Sequence, residues 1–460
     1  MQKLFVINSN LYIRNYISSG VLDRINDGKL FLIANRRLVT PGSELEQKAN
    51  FLGYFDYDSA VFEQNQFYSF VLMHYYRHRS RTFAWKLRIM EESFQQKWAP
   101  RKVRKTTLYQ RILKLVSVFA SENDAEAIAL RLVTPLVKWR RMLSPRNMPL
   151  LLKILGRPGL KQLYAWWFHR NVAPNPQLER YLKDVAPDLV MFPSNATDPV
   201  GNDLLRLEEK LGYRTLFLID NWDNLSSKSV FFRNPDYVAV WGEQSMEHAR
   251  DIHGMARAQI FIVGTPRFDH YYAEAQREPE KPYPFPYVLY VGCQIPFNEL
   301  ESLSLLDRAL NEARAQGRVS DPIRIVYRPH PWRIPRGCPD EFQPEAFTNV
   351  ILDEQLREHY YHYNYKTGKN VFQPSLDYYP KLLHNARLVI GPLTTMLLEA
   401  GLFRKPVVAL AYDDDIHYTN PKNALANYRH FEGITDMPGI AFAHTREQML
   451  ERFLHQLTAR

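Results

Sequence analysis

Two stretches in the last third of the chain carry groups suited to holding an anion where a strand ends. The first is IRIVYRPHPWR, Ile323 to Arg333, and the second is ARLVIGPLTTMLLEAGLFRKPVVAL, Ala386 to Leu410. In the first, Arg328 and His330 sit in a turn stiffened by Pro329 and Pro331, and Arg333 adds a second guanidinium. Charge-assisted hydrogen bonds from such groups seek phosphate. In the second, Gly391, Pro392, Leu393, Thr394 and Thr395 precede the helical run MLLEAGLF. Hydroxyls and free N–H groups at a helix start bind anions, because the positive end of the dipole points there. Glu399 lies one turn beyond Thr395 on the same face and suits ribose hydroxyls; an acid in so apolar a helix needs some partner. Gly292 in YVGCQIP lets backbone approach a ligand closely. Arg328, His330 and the Thr394–Thr395 corner are expected to converge on the same leaving-group oxygens. Two simpler readings stay open: His330 as a satisfied strand-end histidine, and Thr394 or Thr395 as an N-cap that needs no ligand.

The densest polar cluster elsewhere is LIDNWDNLSSKS, Leu218 to Ser229. Asp223 or Asp220 suits a general base within hydrogen-bond reach of an acceptor hydroxyl. Asn224, Ser226, Ser227 and Lys228 are candidates to line a substrate. An Asx-turn and helix cap closing a βα loop explains the same residues. Asn8 and Asn10 after the first strand, and Ser194 and Asn195 after PDLVMF, are further acceptor-side candidates. Asp413, Asp414 and Asp415 follow VVALAY; a solvated loop accounts for them, with a metal as the lesser alternative. The chain has no metal-ligand spacing, no covalent nucleophile motif and no nucleic-acid module, so no metal is assigned.

Apolar runs alternating with amphipathic stretches must position these groups. KLFVIN and KLFLIAN (Lys29 to Asn35) read as buried parallel strands. Glu63 to about Gln96 and Thr107 to about Ala120 have helical length without Pro or Gly. Asp124 to Leu143 is helical with a break expected at Pro135, and Met148 to His169 is helical with breaks at Gly156 and Pro158. Strands resume at PDLVMFPSN, TLFLIDN, YVAVWGE and QIFIVGTPRFD, separated by helices. Such alternation implies a parallel sheet. Tyr272 to Pro286, rich in Glu, Lys and Pro, reads as a linker. A second series runs from YVLYVGCQ to VVALAY, and Thr445 with Gln448 marks the capping box of a closing helix.

At 460 residues with 45% hydrophobic and 13% aromatic content, the chain suits two globular domains. Its two cysteines, Cys293 and Cys338, build no disulfide framework, which suits a reducing compartment. The N-terminus reads as a strand, Leu4 to Ile7, and not as a signal peptide. No run is long enough to span a bilayer. The net charge of +10 is uneven: Arg77 to Lys114 holds twelve Lys or Arg against Glu91 and Glu92, with Trp85, Phe94 and Trp98 interleaved. That stretch suits an anionic partner, a membrane surface before a nucleic acid, or is simply a solvated helical face near a small-molecule anion site.

RPHP, followed some sixty residues later by a strand, a hydroxyl pair and EAGLFRKPVVAL, resembles the C-terminal domain of GT-B glycosyltransferases. It is similar to bacterial surface-polysaccharide enzymes: capsule Kdo-transferases, polysialyltransferases and CDP-glycerol glycerophosphotransferases. VWGEQSMEHARDIHG…IFIVGTPRFDHY (Val240 to Tyr271) also resembles the interdomain region of that superfamily. The resemblance covers roughly Leu216 to Leu410. It implies that His330, Thr394 and Thr395 hold the donor phosphate and that Glu399 meets the ribose. It departs at Asp223, where the glycerophosphotransferases have a His after the Trp. The fold class implied is α/β of GT-B type, two Rossmann-like doubly wound domains facing a cleft. Residues 1–271 would form the acceptor-side domain with a helical basic insertion at about 63–170, residues 287–444 the nucleotide-sugar domain, and 445–460 a closing helix. The implied activity is metal-independent transfer from a nucleotide sugar to a lipopolysaccharide or capsule glycan, in the cytoplasm or on the inner membrane surface. No cofactor is expected beyond the donor; CMP- or CDP-linked sugars are favoured through the His-Pro families, with UDP-linked sugars as rivals. Partners would be the nucleotide sugar, a glycan or lipid-linked acceptor and an anionic membrane surface, with no nucleic acid. The alternatives are a non-hydrolysing sugar-nucleotide 2-epimerase, whose Gly-Thr-Arg-Pro and Ser-Gly-Gly elements are missing here, and a non-catalytic membrane- or nucleic-acid-binding protein.

Overall fold

Runs of branched and aromatic residues form the strands, and their burial on both faces marks them as parallel. All five residues of VLYV with its leading Tyr287 are inaccessible, as are all four of Val407–Leu410. The computed structural model describes residues 1–39, 41–42, 44–93, 104, 107–142, 149–194, 199–278, 280–319, 322–330, 342–362 and 375–458. It divides into two compact units, residues 1–6 with 55–263, and residues 7–54 with 264–460.

The first sheet has seven strands: β1 (Lys3–Ile7), β2 (Leu30–Asn35), β3 (Phe51–Phe55), β4 (Leu189–Ser194), β5 (Arg214–Ile219), β6 (Tyr237–Val240) and β7 (Ile260–Ile262). Their order is β3-β2-β1-β4-β5-β6-β7. The second has six: β8 (Tyr287–Val291), β9 (Arg324–Arg328), β10 (Val350–Leu352), β11 (Leu388–Pro392), β12 (Val407–Leu410) and β13 (Ile440–Ala443), ordered β10-β9-β8-β11-β12-β13. Each sheet begins at its middle, winds outward one way, then returns to wind the other. That is the doubly wound arrangement expected, and it creates a switch point beside the first strand.

The helical insertion is built as expected in outline. The stretch read as one helix from Glu63 is two, Ser59–Tyr76 and Arg81–Ser93. No Pro or Gly causes the break. Tertiary bonds do: in the turn, Arg79 donates to the Ile252 carbonyl and Ser80 to that of Ser226. Pro135, by contrast, does not interrupt Glu122–Met142. Gly156 ends Pro149–Leu155 as expected, and a Cβ there would stand 2.6 Å from the Cβ of His74. In the closing helix, Thr445 accepts from the Gln448 N–H, but the Gln448 side chain accepts from His444 and not from Thr445.

Inside the first unit, Asp203 is fully buried and accepts from the Tyr57 hydroxyl at 2.8 Å and the Asn175 N–H at 3.0 Å. Arg206 pairs with it and lies over the Phe168 ring. Arg206 thus ties the insertion, through Phe168, to the helix Pro199–Leu211. Burial raises the Asp203 pKa to about 6 against these favourable partners.

Candidate functional site

The switch point of the second sheet lies between β8 and β11, and the sequence puts glycine on both strands there. Tyr290 is in register with Ile390, so Gly391 follows beside Val291. A Cβ on Gly391 would come within 2.1 Å of the Val291 carbonyl oxygen, so the two backbones approach as only glycine permits. Gly292 continues from β8 and donates to the Arg328 carbonyl at 2.8 Å. A Cβ on Gly292 would meet the His330 backbone nitrogen at 2.8 Å and Glu299 Oε2 at 2.7 Å. The turn after β9 therefore lies directly against the turn after β8.

Thr394 opens the helix Thr395–Leu402 in an extended conformation and makes no side-chain capping bond. The reading of Thr394 as a side-chain N-cap is thus not what is seen. Its half-buried hydroxyl stands at the positive end of the helix, one strand over from Gly292. Thr395 and His330 are also half-buried. Gly292, the His330 turn and the Thr394–Thr395 pair follow the ends of the neighbouring strands β8, β9 and β11, a place suited to phosphate.

Arg328 does not join them, which corrects the expectation. Its side chain is 1% exposed and forms an ion pair with the wholly buried Asp353, with a second bond to Gln355 at 2.9 Å. The Tyr379 ring lies 4.0 Å from the guanidinium carbon. Burial opposes its charge, but Tyr379 and Asp353 outweigh burial and hold the pKa above the usual arginine value. The guanidinium is directed along the sheet edge and into the core.

Glu399 is a second correction. The partner its apolar helix demands is protein: Arg267 Nη2 donates to it at 2.7 Å and the Tyr271 hydroxyl at 2.6 Å. Both carboxylate oxygens are engaged, and ribose is not needed to satisfy them. Arg333 lies outside the described residues.

Glu299 was not singled out from sequence. Buried at the start of Glu299–Ala315, it accepts from the Cys293 N–H at 3.1 Å and the Tyr327 hydroxyl at 2.8 Å, fixing the Gly292 loop from beneath. An acid a few residues beyond a Gly-Cys strand end was the only available signal. Asp414 plays a similar part: it accepts from the Asn298 N–H and from His417. Burial raises its pKa, but the His417 bonds prevail and hold it below the usual range. Asp413 accepts from Asn420 at 2.7 Å. Among the described residues, no group of three or more His, Cys, Asp or Glu is placed to hold a metal ion.

In the first unit the loop after β5 is a compact polar knot. Asp223 pairs with Lys228 at 2.8 Å and is half-buried, whereas Asp220 is 3% exposed. Ser226 and Ser227 are not substrate-lining: both are buried, and both hydroxyls donate to the Asp223 carbonyl. Asn224 is likewise buried and donates to the Ser194 carbonyl at 3.1 Å. These three residues serve the loop's own backbone, but not as the Asx-turn and helix cap expected, since Asp223 opens the short helix Asn224–Ser227 without a side-chain capping bond. Ser194 is buried; in the second unit Asn8 is buried too, accepting from Asn35 at 2.7 Å. Asn10 is half-buried, and Asn195 lies outside the described residues.

Lys86 was read only as part of the basic stretch, yet it donates to the Ser227 carbonyl at 2.7 Å. Burial pushes its pKa down to about 8, with Lys228 acting in the same sense and Asp223 opposing. His253 bridges the Tyr76 hydroxyl at 3.1 Å and the Leu225 carbonyl at 2.8 Å. Ser80, Lys86 and His253 together fix the loop that carries Asp223.

No protein-family model matches the chain, and no curated protein matches it. Solved structures do resemble it. The UDP-GlcNAc 2-epimerase of Methanocaldococcus jannaschii is 9% identical over 100% of this chain and 94% of that chain, with a TM-score of 0.44. The UDP-GlcNAc 2-epimerase of Neisseria meningitidis bound to UDP-GlcNAc is 11% identical over 99% and 91%, with a TM-score of 0.42. MurG of Acinetobacter baumannii is 10% identical over 100% and 92%, with a TM-score of 0.38. At such identities and scores, a functional reading rests on this chain's own side chains.

Proposed function

We propose that the chain is an enzyme that transfers a sugar from a nucleotide-activated donor to a hydroxyl of a cell-surface glycan. The observation that carries the reading is the second sheet's switch point. There Gly292, the His330 turn and an uncapped Thr394 hydroxyl meet the start of Thr395–Leu402. Such a corner suits the phosphate of a nucleotide, because fixed donors stabilise charge as it develops on the leaving oxygen. In the step proposed, the acceptor oxygen bonds to the donor's anomeric carbon while the bond to the phosphate oxygen breaks. The acceptor proton passes to a carboxylate, and Asp223 is the candidate, being more accessible than the buried Asp220. His330, Thr394 and the helix start would take up the charge on the phosphate; Arg328 and Glu399 would shape the region from behind.

Thermal-shift titration with CMP, CDP, UDP, GDP and TDP tests the donor half of the proposal, since the ligand that binds the folded form stabilises it. Stabilisation by one nucleotide, reduced in Thr394→Ala, is expected. No shift with any of the five would sink the reading. Incubation with the matching sugar nucleotide alone then separates transfer from 2-epimerisation, because an epimerase needs no acceptor.

A further inference from the structure

The helix Pro158–Asn171 is apolar on both sides. One side, Tyr164, Ala165 and Phe168, packs into the core of the insertion with Leu72, Tyr68 and Leu152. The other carries Leu160, Leu163, Trp166 and Trp167, spaced so that they share a stripe. Leu163 is 60% exposed and Trp166 58% exposed. An isolated exposed leucine is ordinary, but two tryptophans and two leucines on one open helical stripe are not. Ile154, on the preceding helix, is exposed as well.

Charge says what covers this face. Residues 149–171 contain Lys153, Arg157, Lys161 and Arg170 and neither Asp nor Glu. Arg157 precedes the stripe and Arg170 ends it, the latter with its guanidinium 5.6 Å from the Trp166 ring centre. Both are exposed. Indole rings beside cationic side chains favour the boundary between acyl chains and anionic headgroups. The basic stretch read from sequence as the lipid contact is less suited: Trp85 is buried, and Arg79 and Lys86 turn inward to backbone carbonyls. Among the described residues, no helix is long and apolar enough to cross a membrane, so contact would be at the surface.

We propose that Leu160, Leu163, Trp166 and Trp167, flanked by Arg157 and Arg170, form a face that seats on an anionic lipid surface. This holds whether or not the chain transfers sugars. The test is sedimentation of the full chain with vesicles of phosphatidylcholine alone and of phosphatidylcholine mixed with phosphatidylglycerol. Binding is expected only to the mixed vesicles, weakening by about tenfold or more in Arg157→Glu/Arg170→Glu. It should also be lost in Leu163→Ser/Trp166→Ser with the melting temperature unchanged. If the tryptophan variant fails to fold, the arginine variant, wholly at the surface, still decides. Equal binding to both vesicle types, no binding to either, or full binding by the arginine variant would each overturn the proposal. So would a wild-type dimer, seen by sedimentation velocity, that becomes monomeric in the tryptophan variant.

Discussion

The backbone nitrogen of His330 lies where a side-chain carbon on Gly292 would have to go, 2.8 Å from that point. Glu299 Oε2 stands at 2.7 Å on a side chain, but the His330 nitrogen and the Pro329 Cα at 3.0 Å are backbone and cannot swing aside, so the β8 and β9 turns are a fitted pair. Gly292→Ala is expected to displace the His330 turn and weaken nucleotide binding by about tenfold, roughly 1.4 kcal/mol. Isothermal titration with the stabilising nucleotide checks this; unchanged affinity would remove the β9 turn from the site.

Thr394→Ala is expected to leave stability within about 0.5 kcal/mol of wild type, because the hydroxyl caps nothing. Ligand affinity should nevertheless fall. Denaturant melts run beside binding titrations separate the two effects.

Glu399→Ala should behave in the opposite way. It strands the Arg267 guanidinium and the Tyr271 hydroxyl in a buried place, which costs about 3–5 kcal/mol of stability. Urea unfolding without any nucleotide is the measurement. A stable variant with impaired nucleotide binding would restore the ribose role to Glu399.

Acid should loosen the loop that carries Asp223. Burial depresses the His253 pKa from 6.5 to about 4. Between those values the unfolded chain binds more protons than the folded one, so stability falls as pH drops from 6.5 towards 4, by up to about 3 kcal/mol for this group. His253→Gln should reduce the slope over that window in urea melts.

The Lys86 ammonium gives a slope at the other end. Its pKa is lowered from 10.5 to about 8. The unfolded chain again holds the extra proton between these values, so this group makes stability rise as pH climbs from 8 to 10.5. Lys86→Met should abolish that increment when its melts are compared with wild type.

Strand identity was legible because burial on both faces writes itself as uninterrupted apolar runs, as in YVLYV and VVAL. The short edge strand Phe51–Phe55, half-exposed and interrupted by Gly53, carried no such signal. Gly292 was also readable as a point of close backbone approach, since a Cβ there has no room. Arg328 and Glu399 misled for one reason. A charged residue at a strand end or helix start looks the same whether its counter-charge is a ligand or a distant residue such as Asp353 or Arg267. Lys86 and His253 were missed on the same ground: their partners, the Ser227 and Leu225 carbonyls and the Tyr76 hydroxyl, are far along the chain.

The bonds from Ser80, Lys86 and the Tyr76–His253 pair to the turn after β5 give the helical insertion a second meaning. It is not an appendage on a smaller ancestral core that could be trimmed away to leave a working minimal domain. Deleting residues 63–170 would free the very segment on which an acceptor-side acid depends, so loss of activity in a shortened chain would say nothing about where lipids bind.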